Sequence, residues 1–191
     1  MQMPSPLRYD LILWRATRGR EGALREKQLD LARVTAGESI LDVGCGTGTL
    51  AIAAARCGAT VRGLDPSSAL LARARKKARR ARVDVTFELG AGESLPYADD
   101  SFDIVVSSLV WHHLTHDDLR ASARELGRVV KPNGRVLIVD TAAGDAHGGG
   151  FDLAAIAPRL AGVGLDAVES GPFDAGLRGI GQLHYVLARA A

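Results

Sequence analysis

The chain reads as an α/β fold: a mostly parallel sheet of seven strands with helices on both faces. Three features carry that expectation. From residue 38 onward, short apolar runs alternate with helix-like stretches, the pattern of a parallel sheet covered on both sides. A glycine-rich elbow, "DVGCGTG", joins the first of these runs to the first helix that follows it. The last two runs are joined by residues 171 to 182, a Gly/Pro-containing link without a convincing helix, and such a link suits an antiparallel pair.

In order, the expected strands are "SILDV" (39 to 43), "TVRGL" (60 to 64), "VDVTFE" (83 to 88), "FDIVVSS" (102 to 108), "RVLIVD" (135 to 140), "LDAVES" (165 to 170) and "LHYVLAR" (183 to 189). Helical stretches lie near 20 to 35, 48 to 57, 67 to 82, 116 to 130 and 151 to 162. In "THDD", Thr115 is an N-cap with Asp118 in the first turn of its helix, and "KPNG" at 131 to 134 stops that helix and turns the chain into the fifth strand. At 191 residues the chain suits one domain, a catalytic core from 36 to 191 preceded by an N-terminal lid or helical segment over 1 to 35. The segment "AAGDAHGGG" (142 to 150) is expected to be the most flexible, just past the carboxyl end of the fifth strand.

Composition narrows the function. Hydrophobic and charged fractions of 47% and 24% are those of a soluble globular protein, and a net charge of +2 gives no bulk drive toward nucleic acid or a membrane. Cys45 and Cys57 have neither disulfide density nor metal-ligand spacing, so no metal is expected and a reducing compartment is. The early apolar run from Leu11 to Trp14 is too short for a signal core or a span. A cytoplasmic protein is the expectation.

The glycine elbow is the most informative segment. Glycines at 44, 46 and 48 follow Asp42 and Val43, and a helix begins at once; glycine suits positive φ and close approach of backbone to a ligand, and a helix start offers free amides. The Gly-Lys-Ser/Thr ending of a phosphate loop is absent, and the third glycine of a G-x-G-x-x-G fingerprint falls on Thr49 or Ala51. Asp65 closes the second strand 23 residues after Asp42, where a carboxylate can accept both hydroxyls of a ribose held at the loop. Loop and acid together predict a nucleoside ligand. The plainer reading makes Asp65 a cap for the next helix, a role open to Ser67 as well.

These strings, "LDVGCGTG", "GLDPS", "ESLPYADDSFDIVVSS", "WHHL" and "KPNGRVLIVD", occur in an order that resembles the class I S-adenosylmethionine-dependent methyltransferases, in particular the quinone-biosynthesis and small-molecule group, over roughly residues 36 to 140. The resemblance implies a Rossmann-like sheet ordered 3-2-1-4-5-7-6 with the last strand antiparallel. It also implies that the cofactor, S-adenosylmethionine, lies across the carboxyl ends of the first, second and fourth strands. By the same resemblance Gly44, Gly46 and Gly48, with Cys45 among them, line its methionine and ribose portion. Asp42 helps hold the methionine end, Asp65 takes the ribose hydroxyls, Pro66 or Ser67 lies along the adenine, and Ser107, Ser108 and Leu109 border the cofactor.

The sequence departs from the family at one place. Where many members carry Asp-Ala to read the adenine, this chain has Ala91 and Gly92, followed by Glu93. A missing hydrogen bond to a neutral group weakens affinity by about 0.5–1.5 kcal/mol and leaves a multi-point site intact. Binding is therefore expected, with adenine held by backbone amides and packing, and Glu93 either substituting or facing solvent. Asp99, Asp100 and Asp103 read as turn and solubility residues.

Methyl transfer from a sulfonium is an in-line displacement that mainly needs positioning and a dry site. A base matters only for a weak nucleophile that carries a proton. His112 and His113 in "WHHL" are the candidates, set against a structural role at a helix entry; His116 reads as exposed. Trp111 either walls the substrate site or packs beneath it. Tyr9, Leu13 and Trp14, interleaved with Arg8, Arg15, Arg18 and Arg20, suit a lid or a transient membrane-surface contact. The run "RARKKARRAR" (73 to 82) is by default a solvated helix face.

The function read from the sequence is transfer of a methyl group to a small-molecule or lipid-like acceptor, at a site open or completed by a second subunit, with a homodimer as one arrangement. The alternatives are a cofactor-binding regulatory or scaffold subunit and, with less support, an RNA methyltransferase. The absence of an "NPPY" string argues against methylation of nucleic-acid base amines.

Overall fold

In the computed structural model the described residues are 10, 11, 14, 15, 17, 19–141, 153–174 and 182–191. Tyr9, Leu13 and the segment 142 to 150 lie outside them. The elements are α1 (Glu21–Leu31), β1 (Ser39–Val43), α2 (Thr49–Arg56), β2 (Thr60–Asp65), α3 (Ser68–Ala81), β3 (Thr86–Leu89), β4 (Phe102–Ser108), a 3₁₀ turn (Trp111–His113), α4 (His116–Val129), β5 (Val130–Thr141), α5 (Leu153–Ala161), β6 (Leu165–Phe173) and β7 (Leu183–Ala190).

One sheet contains all seven strands, in the order β3-β2-β1-β4-β5-β7-β6. The first five are parallel to one another, and β7 runs antiparallel to both β5 and β6, as expected. Parallel strands covered on both faces must be apolar on both, and Leu41, Ile104, Val105, Leu137 and Ile138 are fully buried. One face packs Leu24, Leu50, Leu71 and Ala74 of the first three helices. The other packs Ala123, Leu126, Ile156 and Leu160 of α4 and α5.

α1 belongs to this packed layer. Leu24 and Leu29 share a cluster with β1 and α2, so this helix, expected near 20 to 35, is part of the core.

Local chemistry sets the boundaries. Ser67 caps α3 by accepting from the Leu70 amide at 3.3 Å, so the capping role falls to Ser67, whose own amide donates to Asp65. Thr115 and Asp118 form the reciprocal box that starts α4. β3 begins at Thr86 rather than 83 because the chain first closes α3: Arg82 takes φ 56°, and the Val83 amide donates back to the Ala78 carbonyl at 3.2 Å. β5 starts earlier than expected, at Val130, and carries the turn at Asn133 (φ 62°) within it.

Candidate active site at the carboxyl ends of the strands

Parallel strands bring their carboxyl ends to one edge, and three acids end apolar runs there: Asp42 near the end of β1, Asp65 at the end of β2 and Asp140 near the end of β5. All three are buried, at 3%, 4% and 0% exposure. Burying a carboxylate is costly unless it is paired, so each needs its partners identified.

Asp65 ties the glycine loop to the start of α3. Its Oδ2 accepts from the Gly46 amide and its Oδ1 from the Ser67 amide, both at 2.8 Å. Burial pushes its pKa up, and those two amides oppose the shift. A carboxylate offers about four lone-pair sites, so acceptor capacity remains.

Asp42 is the least satisfied. Its Oδ2 is buried without a hydrogen-bond partner. Burial raises its pKa to about 7, the Arg25 charge and the Ala51 amide oppose that, and Asp65 adds to it. The Arg25 guanidinium reaches this region from α1 and is itself buried. It donates to Thr49 Oγ1 (3.3 Å), Gln28 Oε1 (3.0 Å) and Ser108 Oγ (3.1 Å). Gln28 also donates to Ser108 Oγ, at 2.7 Å.

The glycines serve the chain's own packing. Gly44, Gly46 and Gly48 have φ of 75°, 54° and 76°, a region that favours glycine. A Cβ on Gly44 would fall 2.3 Å from Val110 Cγ2, and one on Gly48 2.7 Å from the Phe87 ring. The loop after β4 therefore sits directly on the glycine loop. Leu109 makes that crossing with φ 61°, a costly conformation for a branched side chain, while its amide donates to the Val139 carbonyl at 2.9 Å. Cys45 lies buried among these groups, and burial with Asp42 and Asp65 nearby pushes its thiol pKa far up. It is a packing residue without thiolate character.

Asp140 organises the other side. Its Oδ2 accepts from the amides of Trp111 (2.7 Å) and His112 (3.3 Å). Its Oδ1 accepts from the Thr141 amide at 2.7 Å and meets His112 Nδ1 at 2.6 Å. Beside an acceptor-only carboxylate, Nδ1 is the protonated nitrogen and Nε2 the free acceptor. His113 packs against His112 with 3.8 Å between ring centres and the ring planes tilted by 49°. Burial and then the neighbouring His112 hold its pKa below the ordinary histidine value, against a pull from Asp140. Trp111 is buried at 3% and donates through Nε1 to Ser107 Oγ at 3.2 Å. It packs in the cluster with α4. His116 is exposed.

In the loop after β3, Ala91 and Ser94 close a tight turn. Glu93 is half-buried and makes no side-chain hydrogen bond or ion pair among the described residues. The rest of the motif is scaffold: Glu125 accepts from the Leu95 amide at 2.7 Å, and Arg128 binds the Leu95 and Tyr97 carbonyls and Asp99. Asp103 does more than turn the chain. It accepts from both the amide and hydroxyl of Ser39 and from Lys131, locking β4 to β1.

The N-terminal segment reaches the glycine loop through Asp10, which accepts from Thr47 Oγ1 (2.7 Å), Lys77 (2.7 Å) and Arg73 (2.9 Å). Leu11 and Trp14 beside it are 53% and 59% exposed.

Sequence reasoning missed Arg25, Gln28, Asp140 and Asp10. Asp140 had a signal, since it ends an apolar strand as Asp42 and Asp65 do. Arg25 and Gln28 had a weaker one: polar residues three apart, flanked by the core positions Leu24 and Leu29.

Comparison with known proteins fits this arrangement. Residues 40–134 match the family described as a methyltransferase domain. A protein described as an uncharacterized methyltransferase of Synechocystis sp. is 35% identical over 137 residues, 71% of this chain and 63% of that protein. A demethylmenaquinone methyltransferase of Halalkalibacterium halodurans is 37% identical over 138 residues, 70% of this chain and 56% of that enzyme. The chain thus spans less than two thirds of the length of these curated relatives. The crystal structure of an S-adenosylmethionine-dependent methyltransferase from Aquifex aeolicus aligns with a TM-score of 0.73 at 19% identity, covering 87% of this chain and 89% of the other. That likeness is one of fold.

Proposed function

Since the chain belongs to the methyltransferase-domain family through residues 40–134, we propose that it transfers a methyl group from S-adenosylmethionine to a small-molecule or lipid-like acceptor. The observation that carries this reading is the convergence of Asp42, Asp65 and the positive-φ glycine loop at the carboxyl ends of β1 and β2. The residues present fit the cofactor: the orphaned Oδ2 of Asp42 suits an ammonium group, and the spare acceptor sites of Asp65 suit vicinal hydroxyls. When bound, the cofactor supplies an electrophilic methyl group on a sulfonium.

The chain's own residues then have distinct tasks. Asp65 keeps the glycine loop and the start of α3 in register through Gly46 and Ser67. Val110, seated on Gly44, closes that side against water. His112, fixed by Asp140, accepts a proton at Nε2 from an acceptor that carries one, such as a hydroxyl or an activated carbon. Exposed Leu11 and Trp14 favour an acceptor with apolar character, consistent with the demethylmenaquinone methyltransferase among the relatives. Among the described residues, no helix is long and apolar enough to cross a membrane.

An RNA acceptor has less support. Arg73 and Lys77 of the basic run are engaged by Asp10, and Arg75 by the Phe87 carbonyl. The exposed Lys76, Arg79, Arg80 and Arg82 lie toward the end of α3 that points away from Asp65.

Titration calorimetry with S-adenosylmethionine tests the reading: the parent binds, and Asp65→Ala and Gly46→Val bind much more weakly. Equal binding by all three would remove the site. Release of S-adenosylhomocysteine with a panel of hydroxyl and quinol acceptors separates an enzyme from a subunit that only binds.

A further inference from the structure

Five non-glycine residues among those described have positive φ, and Leu109 differs in kind from the other four. Arg33, Arg82, Asp100 and Asn133 are polar and exposed, at helix ends or turns, where this conformation is common. Leu109 is aliphatic, half-buried and placed directly after β4. Strain of this kind persists where the surroundings over-determine it, and here they do so on both sides. The Leu109 amide donates to the Val139 carbonyl, and its side chain packs in the cluster with α1 to α3, whereas Val110 packs in the opposite cluster with α4. Val110 also lies so close to Gly44 that a Cβ there would fall 2.3 Å from its Cγ2. The next two amides, those of Trp111 and His112, go to Asp140.

His112 is therefore held from two sides that belong to different strands. Asp140 ties the imidazole to β5 and sets its tautomer. Its relation to the glycine loop after β1 comes from Val110, with only Trp111 between Val110 and His112. We propose, resting on the reading above in which the glycine loop holds the cofactor and His112 takes the proton, that Leu109 and Val110 are positioning residues. They hold the His112 imidazole in register with the cofactor loop, and the strain at Leu109 arises from seating Val110 on Gly44. Glycine at this place would relieve the strain but release the backbone that keeps Val110 there. Leucine gives up stability for rigidity at this one residue.

NMR of the imidazoles with S-adenosylhomocysteine as the probe tests this. Saturating ligand shifts the His112 correlations in the parent, and Val110→Ala loses most of that shift although Asp140 still holds the proton on Nδ1. Leu109→Gly and Leu109→Ala separate positioning from stability. Both delete the leucine side chain, and glycine tolerates φ 61° better, so Leu109→Gly has the higher urea midpoint of the two. Its ligand-induced His112 shift is nonetheless the smaller. Opposite orders in the two measurements support the proposal, because a residue that served packing alone would give the same order in both. The same order, a full shift in Val110→Ala, or no His112 shift in the liganded parent overturns it and leaves the cofactor reading standing. Where a Leu109 variant shows no cooperative urea transition, Val110→Ala decides alone. A parent that binds neither S-adenosylmethionine nor S-adenosylhomocysteine in calorimetry overturns both the inference and the reading beneath it.

Discussion

Asp140 Oδ1 stands 2.6 Å from His112 Nδ1 while the Oδ2 of the same carboxylate accepts the Trp111 amide at 2.7 Å. One buried group thus fixes both the backbone of the turn after β4 and the tautomer of the imidazole it presents. Asp140→Asn keeps a carbonyl for one of these contacts but removes the acceptor-only partner that holds the proton on Nδ1. Nitrogen-correlated NMR of the imidazoles is expected to show His112 protonated at Nδ1 in the parent and losing that preference in the variant. Asp140→Ala removes the acceptor of the buried Trp111 amide and lowers stability by about 1–3 kcal/mol in urea melts.

The glycine loop allows backbone strain to be separated from packing. Gly37 has φ 89° and open space where a Cβ would go, whereas Gly48 has φ 76° and the Phe87 ring and Ala74 Cβ at 2.7 and 2.9 Å. Gly37→Ala therefore costs the strain alone, about 1 kcal/mol. Gly48→Ala adds an overlap between α2, α3 and β3 and costs about 2–4 kcal/mol. Urea denaturation of the two variants checks the difference; equal losses would mean the loop relaxes freely.

How far the sequence revealed this arrangement depends on the kind of signal. The sheet order and the glycine loop were legible because parallel strands need continuous apolar runs and a tight strand-to-helix elbow needs glycine. Thr115 and Ser67 were legible as caps because their chemistry is local. What the sequence did not reveal acts across distance. Arg25 meets Ser108 and Asp103 meets Ser39 only after β1 and β4 pair, and no local pattern marks either contact. Trp111 was read two ways because an aromatic after a strand suits a pocket wall and a core equally; Ser107, one turn of chain away, holds its indole inside.

Asp42 and Asp103 give opposite contributions to stability in different pH windows. Burial raises the Asp42 pKa from 3.8 to about 7, so the folded protein holds this proton more tightly than the unfolded chain does. Its contribution is full below about 3.8 and is lost as pH rises toward 7, on the order of 3 kcal/mol. Asp42→Asn removes that slope: between pH 4 and 7 the parent loses stability relative to the variant. Urea midpoints at several pH values check this, and parallel curves for the two proteins would show that Asp42 is solvated. The Asn variant is also expected to bind S-adenosylmethionine more weakly.

At the acid end the sign reverses. Burial of Asp103 acts to raise its pKa, but the Ser39 hydroxyl and amide and then Lys131 outweigh it and bring the value to about 2. This stabilisation is present above about 3.8 and is lost as pH falls through 2. The carboxylate is one third exposed, so screening limits the contribution to about 1 kcal/mol. Asp103→Asn is expected to lower the melting temperature at pH 6 and to differ little from the parent at pH 2.

Asp10 joins the N-terminal segment to the glycine loop and α3 at once, through Thr47, Arg73 and Lys77. Burial acts to raise its pKa, but hydrogen bonds from Lys77, Thr47 and Arg73 outweigh it and hold the value below the usual carboxylate range. These groups are only partly exposed, at 19% for Asp10, 28% for Arg73 and 24% for Lys77, so the network is worth more than a surface pair and less than a buried one. Asp10→Asn is expected to cost about 1 kcal/mol at low salt. It leaves two cations four residues apart on α3 without their anion, so added salt, which screens their repulsion, narrows the gap to the parent. Thermal melts at low and high salt measure this. A gap independent of salt would mean that Asp10 acts through its hydrogen bond to Thr47 rather than through charge.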